Sequence, residues 1–477
     1  QGNYHSGNET RKYWGEACAG IRDYLGGNAP TTSEAGHDQL IGYLDGADCQ
    51  WLGLSAKPER FLIRLDCQDW ERVPWYDAVN HANFILHGVG YSGRYEGGRP
   101  RQTHGINSDD YISAEILSGH NLMTDAGSWG RDAVRKYYLA HEALKNVALR
   151  GITSVEFVGN DVHRQKVTWD NGTTAYVNRG EAQWQVAGRA LPEYGFHVEH
   201  GDLTATVEKR DGKWAESSRG PSGWYCNART LLPGAHRSLR ITPRLENFQH
   251  LGNGKLTYDM VWAAKAPAPD DLNVFVHFCS EKVSRRDKIS FQDDHAPKPP
   301  TSQWKGEVRI KRTVTVPADA DGDYRIMVGL HREGARALLD GYQGGESRIL
   351  VGTLNVKRAA QGVTEVKLAP PPAAEPLPEA PVNSPGTFVD FGFARTDGAF
   401  RVQKMDNGLR VVPLPDSPRF ELTLWLTKLV GKTPTVKSVV ALDLDGSVAP
   451  KPVNFGQKGD ALDFVHDGTA FAYEVRW

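Results

Sequence analysis

The residues best suited to chemistry in this 477-residue chain gather near its start. Glu34 stands in Thr32-Ser33-Glu34-Ala35-Gly36-His37-Asp38, and Asp45 and Asp48 follow in a short Gly-containing stretch. A carboxyl at the C-terminal edge of a short β-prone run, with further acids close behind, fits acid–base work on a polar substrate. Cleaving a glycosidic bond takes two carboxyl groups facing each other across the linking oxygen, one donating a proton and one acting as nucleophile or base. Glu34 is the candidate acid/base. His37, Asp38, Asp45 and Asp48 are candidate ligands for sugar hydroxyls, although local capping explains the Asp45/Asp48 pair more cheaply.

Further along, Asp77 and His81 close a strand candidate at 73–81, and Asp125 closes another at 121–125. All three are expected to line the same site. Trp51 and Trp75 are candidate platforms for sugar rings, since an indole offers a broad apolar face. His37, His87, His104 and His120 enrich this half of the chain. No His-x-His pair or His-Glu-x-x-His motif accompanies them, so neither a metal site nor a cofactor is expected.

The elements that must position these groups follow from periodicity. Apolar residues at three- and four-residue steps predict a helix over 10–25, stopped by Gly26-Gly27. Helices are also predicted over 109–118, with Ser108 as cap and Gly119 as stop, and over 131–145. Short β-prone runs at 61–65, 73–81 and 121–125 lie between them, so residues 1–150 read as α/β. After residue 150 the period changes to two, and Asp170-Asn171-Gly172 marks a tight hairpin. Residues 151–238 read as a β-sandwich and 239–357 as an Ig-like sandwich. Residues 358–385, rich in Pro, Ala and Glu, read as a linker, and 386–477 as a last β-domain.

At these positions the chain resembles a known group. Thr32-Ser33-Glu34-Ala35-Gly36-His37-Asp38 with Gly42-Tyr43-Leu44-Asp45-Gly46-Ala47, then Val73-Pro74-Trp75-Tyr76-Asp77-Ala78-Val79-Asn80-His81, then Asp110-Tyr111-Ile112-Ser113-Ala114-Glu115, is similar to part of certain large bacterial proteins. These are glycoside-hydrolase-like barrels followed by β-sandwiches, related at a distance to the endo-α-N-acetylgalactosaminidase barrel. The resemblance covers about residues 1–240. It implies the C-terminal half of a (β/α)8 (TIM) barrel, with Glu34 as proton donor on the fifth strand. The nucleophile, an Asp on the fourth strand, would precede Gln1, so the missing N-terminal half of the barrel is an expected partner and this chain alone would be inactive.

Composition narrows the partners. A net charge of −2 gives no general attraction to nucleic acid, and no apolar run is long enough for a membrane span. Five cysteines without CxxC spacing read as buried thiols rather than a disulfide framework. The chain begins without Met, so it reads as the C-terminal part of a longer protein, with any export signal upstream and an extracellular or periplasmic location. The expected function is hydrolysis of O-glycosidic bonds in a polysaccharide or glycan. The alternatives are a non-catalytic carbohydrate-binding or cell-surface protein with a degenerate barrel and, further off, a metal-dependent hydrolase.

Overall fold

The computed structural model describes residues 7–27, 29–33, 41–48, 75–87, 105–124, 129–231, 238–280, 289–332, 335–344, 347–360, 362–373, 381–448 and 452–477. They fall into two compact units. The first comprises residues 1–95, 106–233 and 381–477; the second comprises 96–105 and 234–380.

The first unit opens with helix α1 (Gly7–Tyr24). A parallel sheet follows, of β1 (Thr32–Ser33), β2 (Gly46–Asp48) and β3 (Ile85–His87), with α2 (Trp75–Asn80) before β3. Cys18, Leu44, Ala47, Phe84 and Leu86 form its small core. Helix α3 (Asp109–Ser118) starts where the sequence predicts, with the Ser108 hydroxyl accepting from the Tyr111 amide at 3.2 Å. Gly119 ends it in the left-handed region, at φ 69°, as a helix C-terminus favours. Helix α4 (Arg131–Val147) buries Ala133, Leu139, Ala140, Ala143, Leu144 and Val147, a stripe at helical spacing.

An antiparallel meander follows: β4 (Ile152–Phe157), β5 (Arg164–Trp169), β6 (Thr174–Asn178), the small β7 (Trp184–Val186) and β8 (Arg189–Leu191) pair, β9 (Phe196–His200), β10 (Leu203–Arg210), β11 (Lys213–Gly220) and β12 (Gly223–Asn227). The Asn171-Gly172 turn joins β5 to β6, with Gly172 at φ 83° and the Asn171 side chain accepting from the Thr173 amide at 3.0 Å. Helices α3 and α4 pack on this sheet through Ile112, Ile116, Leu139 and Leu144 against Val167, Trp169, Phe196 and Val207.

The second unit, taken by itself, is two facing sheets. One consists of β13 (Ile241–Gly252), β14 (Lys255–Ala264) and β17 (Gly306–Thr315). The other consists of β15 (Asn273–Ser280), β16 (Ile289–Gln292), β18 (Gly322–Arg332), β20 (Ile349–Ala359) and β21 (Gly362–Ala369), with β19 (Ala335–Arg336) pairing β18. Residues alternating inward from both faces, among them Met260, Trp262, Val276, Phe278, Ile326 and Val328, fill the space between the sheets. Strand β21 lies inside the stretch predicted as linker: the Val366 and Leu368 side chains pack on this core.

The chain then returns to the first unit beside the point where it left, Leu231 donating its amide to Asn383 and Asn383 its own to Arg229. The returning strands are β22 (Val389–Asp390), β23 (Ala394–Thr396), β24 (Ala399–Met405), β25 (Gly408–Pro413), β26 (Phe420–Trp425), β27 (Ser438–Leu442), β28 (Phe455–Lys458), β29 (Ala461–His466) and β30 (Ala472–Arg476), with α5 (Leu426–Val430) after β26. Strand β24 pairs antiparallel with β12, Trp224 opposite Val402. The earlier meander therefore continues into one eleven-stranded sheet, ordered β27-β30-β25-β24-β12-β11-β10-β9-β6-β5-β4. The remaining strands form a five-stranded sheet whose Phe420, Leu422, Leu424 and Phe464 pack on Phe400, Val402, Leu409 and Val411. Residues 151–231 and 386–477 thus share one sheet.

The (β/α)8 expectation is overturned. Among the described residues strand takes 48% against 15% helix, in several separate sheets, whereas a barrel needs a helix after every strand. Five α-helices occur among the described residues. Two of the runs read as strands mislead for local reasons. Residues 75–80 are helical, because Asp77, Asn80, His81 and Phe84 are the buried positions and their spacing is that of a helix face. Among the described residues 121–124, only Asn121 bridges a strand, pairing parallel with His87. The run at 61–65 lies outside the described residues.

Candidate functional site

The strand ends of the parallel sheet bring reactive residue types side by side. Ser33 is level with Ala47 in the β1–β2 register, and Ala47 with Leu86 in the β2–β3 register. One step further along β2 and β3, Asp48 is paired with His87, and His87 bridges Asn121. In the sequence, Glu34 follows Ser33 directly. The carboxyl ends of parallel strands are where open α/β sheets bind ligands, because backbone amides and loop side chains converge there. Glu34, His37, Asp38, Trp51 and Asp125 themselves lie outside the described residues, as do the side chains of Asp48 and Trp75.

The described members of the expected site are committed to the fold. Asp45 accepts the Thr31 amide at 2.7 Å and the Arg22 guanidinium at 2.8 Å. The Thr31 amide first, and then Arg22, hold its carboxyl below the usual range. It ties α1 to the approach of β1. Asp77 is buried on α2 and hydrogen-bonds the fully buried His120. His81 is wedged between two carbonyls, with Nδ1 2.6 Å from the Arg150 oxygen and Nε2 3.1 Å from the Gly119 oxygen. Burial pushes its pKa down, while those carbonyls oppose the shift. Asp45, Asp77 and His81 are therefore not brought together around an open cleft.

Gly119 shows how tightly His81 is held. A Cβ on this residue would lie 2.3 Å from His81 Nε2, and its φ of 69° already strains any other residue. Gly119→Ala is expected to lower stability by about 1–3 kcal/mol. A thermal melt checks this, and an unchanged midpoint would mean that His81 moves aside freely.

Periodicity and local caps do not reveal the strongest electrostatic feature of the unit. Asp109, in the first turn of α3, joins Glu216, Arg135 and Arg229 in a closed buried quartet. Arg229 contacts both Asp109 oxygens at 2.7 and 2.8 Å, and its Nε and Nη2 donate to Glu216 at 3.0 and 2.8 Å. Arg135 donates to both Glu216 oxygens at 3.0 Å, and Tyr225 and Asn227 donate to Glu216 Oε1 at 2.6 and 2.7 Å. Burial works to raise the Glu216 pKa, but Arg135 and Arg229 outweigh it and bring it down to about 2. Beside the quartet, Asp110 pairs with the buried Arg179 at 2.6 Å.

Lys136 is the one member of this charged set that periodicity could have exposed. It falls in the apolar stripe of α4, between Ala133 and Leu139. Its ammonium donates to the Ile106 and Met123 carbonyls at 2.9 and 2.8 Å and to Glu115 at 2.9 Å. Among the described residues no group of three His, Cys, Asp or Glu side chains is arranged to hold a metal ion, and no helix is long and apolar enough to cross a membrane. Cys18, Cys226 and Cys279 are buried free thiols.

No protein-family model matches the chain, and no curated protein is detectably similar to it.

Proposed function

We propose that this is a carbohydrate-active protein, with Glu34 as general acid/base in the hydrolysis of O-glycosidic bonds at the carboxyl edge of the parallel sheet. The observation that carries the reading is the coincidence of strand ends with reactive residue types: Glu34 directly after β1, Asp48 ending β2 and His87 ending β3. The polar character of Asn121, which bridges His87 at the same edge, and of His37 and Asp38, close behind Glu34 in sequence, suits a hydroxyl-rich substrate.

The test uses the protein and a panel of nitrophenyl glycosides. Glu34→Gln is expected to reduce kcat/KM on the order of a hundredfold, as loss of a general acid/base does, with the thermal melt unchanged. Undiminished turnover in the variant would remove Glu34 from the chemistry.

A second reading, a non-catalytic carbohydrate-binding protein, draws on the pairing of acids in the first unit. Asp45, Asp77, Asp109, Asp110, Glu115 and Glu216 each have a basic partner. Saturable glycan binding with no turnover of any glycoside would favour it.

A further inference from the structure

A hollow of about 680 Å³ opens where four elements of the first unit meet, well away in sequence from the edge of the parallel sheet. Asn146 comes from the end of α4, His200 and Asp202 from the β9–β10 turn, Arg219 and Trp224 from the β11–β12 turn, and Lys404 from β24. Its volume is that of a small-ligand site. The β11–β12 turn is held in place by Gly223, whose φ is 126° and whose Cβ, if it had one, would lie 2.1 Å from the Val402 carbonyl. One wall of the hollow is therefore rigid backbone.

The charges in the hollow are unequally committed. Arg219 pairs with Asp202 at 3.2 Å. Lys404 has no carboxylate partner among the described residues; its ammonium sits 5.1 Å from the centre of the Trp224 ring. The register explains the placement: Trp224 is opposite Val402, so Lys404, two residues on, shares its face of the sheet and reaches back across the indole. A cation held over an aromatic surface, and open to solvent, is positioned to receive an anion. Around it stand hydrogen-bonding groups: the Gln403 amide, and the side-chain oxygens of Asn146 and Ser222, whose own donors are directed to Thr173 and Glu142. A simple inorganic anion would use the cation and leave the acceptors idle. A sugar acid would use both, its carboxylate on Lys404 and its hydroxyls donating to the oxygens of Asn146, Gln403 and Ser222.

We propose that this hollow is a binding site for an acidic saccharide, a uronic-acid oligosaccharide whose carboxylate pairs with Lys404 beside Trp224. The site is independent of Glu34 and of any hydrolytic activity. The experiment is calorimetric titration of the full chain at low salt with hexagalacturonate and, separately, with the neutral maltohexaose. Expected are saturable binding of the uronate, at least tenfold weaker binding of the neutral sugar, and at least tenfold weakening of uronate binding in Lys404→Glu. Because Lys404 is exposed, the melt of that variant should match the parent, and Lys404→Arg should restore most of the affinity. Absence of uronate binding, equal binding of maltohexaose, or a Lys404→Glu variant that binds as well as the parent would each overturn the assignment. Glu34→Gln should leave the titration unchanged, so this proposal and the hydrolytic one stand or fall separately.

Discussion

Glu216→Ala is expected to destabilise the first unit by about 3–5 kcal/mol, the range seen when one member of a buried ion pair is removed. The variant leaves Arg135 and Arg229 in the interior with Asp109 as the remaining carboxylate of the quartet, and strips Tyr225 and Asn227 of their common acceptor. Two guanidiniums must then share Asp109 as their single buried counter-charge, so one positive charge is left uncompensated and must repel its neighbour or draw in water. Glu216 ties α4 to the β11–β12 hairpin and, through Arg229, to the start of α3, so the loss spreads to three elements.

Hydrogen exchange of the β10–β12 amides in denaturant reads the effect directly, since protection there tracks the opening of this unit. Amides of β14 and β18 in the second unit serve as the internal control. A shift below about 1 kcal/mol would put the quartet in the class of exposed pairs. The pH dependence carries the same signature. With the folded pKa of Glu216 brought from 4.5 to about 2, its contribution is fully present above pH 4.5. It is lost as the pH falls through about 2, because protonation then favours the unfolded chain. The variant should show a shallower acid limb over that window.

Lys136→Met is expected to cost about 3–5 kcal/mol at pH 8 and visibly less at pH 5. Burial, only partly offset by Lys136, raises the Glu115 pKa to about 7. A raised carboxyl works in the opposite sense to Glu216: its contribution is greatest below its unfolded value of 4.5 and is lost as the pH rises through about 7. Removing the ammonium pushes Glu115 further up, so the variant suffers most where the solution forces the carboxyl to ionise. The Ile106 and Met123 carbonyls lose their donor at every pH, which sets a floor to the loss. Adding Glu115→Gln to the variant should recover part of the deficit at pH 8 and little at pH 5. Urea unfolding at the two pH values measures this, and a pH-independent loss would show that Glu115 stays ionised in the folded protein.

These two expectations concern side chains that a sequence reading passes over for a definite reason. Asp109 and Arg229 lie 120 positions apart, and neither shows any sign of the other along the chain. Lys136 was visible in principle, as a cation in an apolar stripe, but its acceptors come from two loops and a neighbouring helix. Asp45, Asp77 and His81 illustrate the converse. Each has the residue type of a ligand-binding group, yet Asp45 is held by Arg22 and Thr31, Asp77 by His120, and His81 by two carbonyls. Residue type names what a side chain can do; its partners decide what it does.

What the sequence determined by itself is local. Ser108 and Gly119 bound α3, the apolar stripe marks α4, the Asn171-Gly172 pair makes the β5–β6 turn, and the period changes from helical to two near residue 150. Each of these follows from hydrogen bonds or side-chain directions within a few residues. Only the tertiary structure decided that residues 386–477 extend the sheet begun at 151, that 75–80 is helix rather than strand, and that Asp45, Asp77, Asp109, Asp110, Glu115 and Glu216 have basic partners. Strand pairing through β12 and β24 depends on two backbone edges meeting across some 170 intervening residues, and every strand offers the same edge chemistry. Charge pairing depends on which side chains are left without water once the core closes. Neither quantity exists until the chain is folded.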